Sequence, residues 1–195
     1  MIELEVLVEN YDGAQKAINK LCKLSQVQNS VEIVDYYFYN KSSHLFAPNN
    51  QFKTFEVLRL RNSNNEKITL TYKKDHYENN IWQFSDEQEV GISNFNDMKA
   101  LLCNLGFDVL LKIHNNRTYF TYKDYEIVVE NVDDLGSFLE IEYKGYLTES
   151  DVAKKRKELL IFIKSLGLNT SDELNSGKPE LYMLKHKEQF LQFIK

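Results

Sequence analysis

The sequence predicts an α+β fold in which antiparallel strands outnumber helices. Three observations carry this. Nine short runs rich in β-branched and aromatic residues are divided by polar and Asn-rich breaks. Charged residues on those runs alternate with apolar ones at the period of two that a strand imposes. Four further segments have the apolar spacing of helices, and their stripes need a sheet face to cover.

Residues 2–8 read as the first strand. A helix follows over about 12–24, with Asp12 as its cap and Ala14, Ala17, Ile18, Leu21 and Leu24 on one face. Strands are expected over 31–39, 55–61, 68–73 and 82–90, broken by Ala47-Pro48-Asn49-Asn50 and Asn62-Ser63-Asn64-Asn65. A second helix over about 94–105 carries Met98, Leu101, Leu102 and Leu105, and Gly106 supplies its left-handed stop. Strands over 110–114, 117–122, 126–131 and 138–143 come next. Thr148 or Ser150 caps a third helix ending at Leu166-Gly167. The last helix starts near Pro179 and carries Leu181, Leu184, Phe190 and Phe193.

The chain of 195 residues is long enough for one domain, residues 1–195, with a substantial core. With 43% hydrophobic and 27% charged residues it reads as globular and not disordered. A net charge of −5 argues against a nucleic-acid partner, since phosphate backbones need a basic footprint. Cys22 and Cys103 fall in apolar helical patterns and read as reduced core residues. The start, Met1-Ile2-Glu3-Leu4-Glu5, lacks a basic region, and no run reaches the roughly 18 apolar residues of a membrane helix. No membrane partner and a cytoplasmic location are therefore expected.

Period-two phasing sorts the charges. Glu3 and Glu5 share a face, as do Arg59 and Arg61, then Thr69, Thr71 and Lys73. Glu87 pairs with Glu89, Glu126 with Glu130, and Glu140 with Glu142. Two arrangements satisfy this pattern. The charged faces can be the wet outer faces of half-buried strands. Alternatively, a barrel can turn its charged face inward and pack its apolar face against the helices. Segregation by sign, basic on some strands and acidic on others, favours the second. A charged interior is costly unless paired. A polyanion with divalent cations would pair it, because Arg and Lys match phosphate oxygens and carboxylates match Mg²⁺ or Mn²⁺.

The same residues resemble the CYTH, or triphosphate tunnel, family. Glu3-Leu4-Glu5 resembles the start of its Glu-x-Glu-x-Lys signature. Asp35-Tyr36-Tyr37-Phe38, Leu58-Arg59-Leu60-Arg61 and Leu70-Thr71-Tyr72-Lys73 are similar to its next strands. Glu87-x-Glu89 is similar to its mid-chain acidic pair, and Lys112 with Arg117-x-Tyr119 to its later basic strands. The fullest match is the run from Val132 to Glu142, with Leu135-Gly136-Ser137-Phe138-Leu139-Glu140-Ile141-Glu142 at its end. The resemblance implies a closed eight-stranded antiparallel β-barrel with a charged interior and helices packed outside.

It also implies a function and a site. The expected function is a metal-dependent enzyme acting on a nucleoside or other triphosphate. A class IV adenylyl cyclase, converting ATP to cyclic AMP and pyrophosphate, leads. The alternatives are a hydrolase of thiamine triphosphate or tripolyphosphate, and a non-catalytic nucleotide- or polyphosphate-binding module. Arg59, Arg61, Lys73, Lys112 and Arg117 would bind the phosphates. Glu3, Glu5, Glu87, Glu89, Glu130, Glu140 and Glu142 would hold Mg²⁺ or Mn²⁺, with Glu3, Glu5 and Lys112 catalytic. Family members are often homodimers. Three departures remove positive charge: Leu7 replaces the signature Lys, and Ser85 and His114 stand where Arg is frequent. Glu130 stands where Asp is more usual, which keeps a carboxylate.

Other site types are poorly supported. His44, His76, His114 and His186 lack zinc-ligand spacing. There is no Gly-rich phosphate loop. Lys154-Lys155-Arg156-Lys157 reads as a solvated helix face, and Trp82 as core.

Overall fold

The computed structural model describes residues 2–64, 66–79 and 81–194. Asn65, in one predicted Asn-rich break, lies outside the described residues. Eight antiparallel strands close into a barrel in the order β1-β5-β4-β3-β2-β6-β7-β8. They are β1 (Ile2–Glu9), β2 (Val27–Asn40), β3 (Glu56–Ser63), β4 (Lys67–Glu78), β5 (Ile81–Ile92), β6 (Phe107–Tyr122), β7 (Tyr125–Val132) and β8 (Gly136–Tyr143). Closure leaves no sheet edge unpaired. The nine predicted runs become eight strands because 110–114 and 117–122 are halves of β6. Asn115 and Asn116 continue the ladder, held by Ile33 and Glu32 of the 14-residue β2.

The helices pack outside, as the apolar stripes require. α1 (Ala14–Leu21) and α3 (Glu149–Ser165) cover the outward faces of β1, β7 and β8. There Leu4, Val6, Ile127, Val129, Leu139 and Ile141 meet Ala17, Leu21, Leu159 and Ile163. Full burial of each larger aliphatic side chain contributes roughly 1.5–3 kcal/mol. α2 (Phe95–Asn104) covers β2, β3 and β4 through Phe95, Met98 and Leu102. The predicted stripe of α2 is partly corrected: Leu101 is 50% and Leu105 63% exposed, because the helix turns its Phe95-Met98-Leu102 line to the sheet. The glycines expected to end α2 and α3 do so, with Gly106 at φ +86° and Gly167 at φ +58°.

Caps follow local chemistry. Asn94 accepts from the backbone N–H groups of Asn96 and Asp97 at 2.9 and 3.2 Å and starts α2. The Asp151 carboxylate accepts the Thr148 N–H at 3.1 Å and starts α3. Asp12 does not cap α1, whose N-cap is Gly13. Its carboxylate instead binds Lys16 at 2.7 Å and the Asn169 N–H at 2.9 Å, tying α1 to the chain after α3. The cysteines are also corrected. Cys22 lies just past the end of α1 and Cys103 on the outer side of α2, and both thiols are free and exposed.

The last predicted helix is broken into α4 (Lys178–Lys185), α5 (Lys187–Phe190) and a 3₁₀ turn (Leu191–Phe193). This C-terminal segment returns across one end of the barrel. Leu174 N–H bonds the Leu7 carbonyl at 2.9 Å, and Thr54 N–H bonds the Glu180 carboxylate at 2.9 Å. Met183 and Phe190 complete a core beneath it with Tyr37, Tyr39, Leu111 and Phe138. Among the described residues no helix is long and apolar enough to cross a membrane.

Candidate functional site

A cavity of about 770 Å³ occupies the barrel interior. Among the described residues ten carboxylates and seven cationic side chains line it, so the alternating charges do face inward. The helices cover the apolar face, and the wet-outer-face alternative is excluded for these strands. Lys178, Pro179 and Glu180 wall one end, while Asn29, Ser63, Lys67, Thr121, Glu126 and Lys144 ring the other.

Cross-strand register brings the acidic pairs of β1 and β8 together. Glu5 lies directly opposite Glu142, and Leu7 opposite Glu140. Lys73 reaches over from β4, with its ammonium 2.8 Å from Glu3 and 3.2 Å from Glu5. Burial raises the pKa of Glu3 despite that ammonium. Burial likewise takes Glu5 to about 7 against the pull of Lys73, with Glu140 and Glu3 adding repulsion. Glu142 rises to about 8, again mainly by burial, although Lys144 lies 2.7 Å away.

β3 supplies Arg59 and Arg61. Arg61 forms a two-point pair with Asp35 of β2, at 2.7 and 2.8 Å. Burial opposes ionisation of Asp35, yet the guanidinium overcomes it and holds the carboxyl at about 2. Arg59 is less committed. It donates to Thr71 Oγ1 at 3.1 Å; among the described residues its closest ion pair is Glu89 at 4.0 Å and its buried Nε has no hydrogen-bond partner. Glu87 and Glu89 of β5 stand beside Lys73 and Thr71 in register.

Deeper in the barrel, Arg117 pairs with Glu130 at 2.9 Å and approaches Glu140 at 4.0 Å. Lys178 of α4 bridges the same two carboxylates. Burial works against the charge on Glu140, but Lys178 and Arg117 push its pKa well below the usual carboxylate range. The seven predicted metal carboxylates are thus split three ways. Glu3, Glu5 and Glu142 gather at β1 and β8, Glu87 and Glu89 lie on β5, and Glu130 and Glu140 are held by Arg117 and Lys178. All-oxygen donors in acidic excess have the chemistry to suit a hard divalent cation. No three acidic, His or Cys groups among the described residues converge on one point as placed, and the Lys73 ammonium sits between Glu3 and Glu5.

Four of the five expected phosphate-binding residues, Arg59, Arg61, Lys73 and Arg117, line this cavity. Lys112 does not, which corrects its assignment as an interior residue. In the continuous β6 it is five residues from Arg117, and an odd separation puts it on the opposite face. It is exposed, with its ammonium 5.5 Å from the centre of the Tyr36 ring beside α2. His114 shares that outward face, so it is not a charge lost from the interior. It bridges Asp133 and Glu32 at 2.7 and 2.8 Å, and those bonds raise its pKa. Ser85 does face inward; its hydroxyl donates to Asp75.

Sequence reasoning missed Lys178, Asp35, Asp75 and Glu180. Only Asp35 had a visible signal, a lone carboxylate in an aromatic strand. Glu180 anchors the covering segment by accepting the Thr54 and Gly177 N–H groups at 2.9 and 3.1 Å. Burial raises it to about 7. A carboxyl raised on folding contributes stability that is present below its unfolded pKa and lost as pH rises through its folded one. Unfolding by urea should therefore show wild type losing stability between about pH 4.5 and 7, and E180Q losing measurably less. Equal slopes for the two proteins would refute this.

The chain matches the CYTH domain model over residues 1–176. It belongs to the CYTH family. Among CYTH relatives, a Methanocaldococcus jannaschii protein whose name proposes an adenylate cyclase is 27% identical over 181 residues, 93% of this chain and 98% of that protein. A solved Pyrococcus horikoshii structure superposes with a TM-score of 0.77 at 22% identity, covering 94% of this chain and 99% of that one. A Hippeastrum protein, described as a proposed adenylyl cyclase with a dominant triphosphatase activity, gives 0.62 at 16% identity and 95% of each chain. At these identities the two solved structures support the barrel fold alone.

Proposed function

We propose that this CYTH protein is a metal-dependent enzyme acting on a triphosphate, with ATP cyclisation to cyclic AMP and pyrophosphate as the leading activity. One observation carries the reading. Arg59, Lys73 and Arg117 face Glu3, Glu5 and Glu142 across one cavity inside the barrel. The cations pair with carboxylates across the barrel, and carboxylates remain in excess. A triphosphate would take over the cations, and the carboxylates they release would need a divalent partner.

Arg59, whose Nε has no hydrogen-bond partner among the described residues, and Lys73 would hold phosphate oxygens, with Arg117 deeper. Mg²⁺ or Mn²⁺, held by Glu3, Glu5 and Glu142 with Glu87 or Glu89 opposite, would neutralise phosphate charge. In the cyclase reading the ribose 3′-hydroxyl attacks the α-phosphorus and pyrophosphate leaves. The Glu5 carboxylate, 3.2 Å from the Lys73 ammonium, would accept the hydroxyl proton through the oxygen it does not give to the metal. The same group could serve an attacking water, which keeps triphosphate hydrolysis as the second reading. The name of the archaeal relative favours the first, and the description of the Hippeastrum protein the second.

The test is incubation with ATP, thiamine triphosphate or tripolyphosphate and Mg²⁺ or Mn²⁺. Cyclic AMP with pyrophosphate is the expected product from ATP. Orthophosphate would indicate hydrolysis, and tight binding with no turnover a binding module. E5Q is expected to lower turnover by about 100-fold or more. Unchanged turnover in E5Q would remove Glu5 from the chemistry.

A further inference from the structure

The run Lys154-Lys155-Arg156-Lys157 of α3 is not a uniform solvated face. Lys154 and Lys157 are exposed, whereas the Arg156 side chain is 13% exposed and turns to the barrel wall. The wall has a gap there. Among the described residues β1 and β5 are in register at two pairs, Ile2–Asp86 and Glu3–Ser85. β1 continues to Glu9 and β5 begins at Ile81, so the ladder stops short on both strands. Other groups take the backbone bonds it leaves. Leu174 N–H meets the Leu7 carbonyl at 2.9 Å, Asn175 accepts the Trp82 N–H at 2.6 Å, and the Arg156 guanidinium donates to the Gln83 carbonyl.

Arg156 also pairs with Glu173 and lies over Trp82, 4.8 Å from the ring centre. The indole is fixed in turn, its Nε1 donating to Asp75 and Ser85 at 3.2 Å each. Trp82 lines the cavity, and the Lys73 ammonium lies 6.0 Å from the same ring centre. One ring therefore connects a cation on an outer helix with a cation inside the barrel. Lys73 needs such a support. Its four-carbon stem is flexible, whereas a guanidinium fork is planar and pre-organised. A phosphate-binding cation that must first be ordered binds more weakly than one already held in place.

We propose that Arg156 is a positioning residue for Lys73 and acts through Trp82: it holds the indole in the gap between β1 and β5, and the indole limits where the Lys73 ammonium can stand beside Glu3 and Glu5. The proposal rests on the triphosphate reading above, in which Lys73 holds phosphate oxygens. Without Arg156 the ring would lose its outer neighbour at the place where no strand ladder confines it. Lys73 would then sample more rotamers, and triphosphate binding would have to order it. Arg156 does not itself line the cavity, so its loss should matter only while Lys73 is present.

The test is a double-mutant cycle on the full chain, followed by calorimetric titration with tripolyphosphate and Mg²⁺. Arg156→Gln is expected to weaken binding about tenfold in the wild-type background and less than about twofold when Lys73 is already Gln. A residue that served the fold alone would cost the same in both backgrounds. Trp82 is the one tryptophan of the chain, so its emission supplies a second measure. Without ligand, that emission should shift to the red in Arg156→Gln as water reaches the ring. Arg156→Gln leaves Glu173 without its partner, so the cycle is repeated with Glu173→Gln added, which removes both charges of the pair together. Equal losses in both backgrounds, or unchanged Trp82 emission, would overturn the positioning role and leave the triphosphate reading intact. If the wild type does not bind tripolyphosphate, both fall.

Discussion

Replacing Lys178 by methionine is expected to cost about 3–5 kcal/mol of folding stability at neutral pH. Lys178 is 8% exposed, Glu130 0% and Glu140 9%, and the ammonium bridges the two carboxylates. Without it, Arg117 alone would face two buried negative charges. Glu140 would then rise from its present low pKa. In the wild type, a carboxyl depressed on folding gives stability that is present above its unfolded pKa and lost as pH falls toward its folded one. The variant should lose that acid-side dependence, so its deficit against wild type narrows as pH falls below about 4.5 and is smaller at about pH 3 than at pH 7. Urea unfolding at both pH values measures this. Adding Glu140→Gln to Lys178→Met should recover part of the loss, because a neutral pair leaves no unpaired charge. A deficit under about 1 kcal/mol that does not vary with pH would mean that the bridge contributes nothing.

The same cluster shows what was readable in the chain. Glu3 and Glu5, Arg59 and Arg61, Glu140 and Glu142 each share a face by period two alone, and closure of the barrel turned all three pairs inward. Phase fails where the strand count fails. Splitting β6 at Asn115-Asn116 leaves Lys112 and Arg117 on separate runs with no shared phase, so nothing in the pattern separates their faces. Asn has weak strand propensity, but pairing with the long β2 overrides it. Asp35 carried a charge inside an aromatic strand, yet its partner Arg61 is 26 residues away and register is not written in either strand. Lys178 was illegible for a different reason. It enters from a helix over the barrel end, and no periodicity of its own segment points it at Glu140. The cysteines failed because an apolar helical pattern says nothing about where a helix stops or which way it is rolled by a few tens of degrees.

Lys73→Gln is expected to weaken triphosphate binding by about 10- to 100-fold, the loss of one or two charge-assisted hydrogen bonds. Its ammonium stands between Glu3 and Glu5, and among the described residues no other cation lies within ion-pair distance of either. Removing it takes away a phosphate ligand. It also takes away the charge that opposes burial at both carboxylates, so Glu5 would rise above its present value of about 7 and hold its proton at neutral pH. Metal affinity should fall with phosphate affinity for that reason, although one cation has been removed from beside the carboxylates. Titration with tripolyphosphate, with and without Mg²⁺, reads both effects, and a change under about threefold would count against Lys73 as a phosphate ligand. Lys112→Gln is the matched control: the residue lies outside the barrel, and its loss should leave both titrations unchanged. Leu7→Lys sharpens the contrast. Leu7 faces inward opposite Glu140, where the signature Lys would stand, but Lys178 already neutralises that carboxylate from the other side. A second cation there has no free carboxylate to meet, so restoring the signature should change affinity far less than removing Lys73 does.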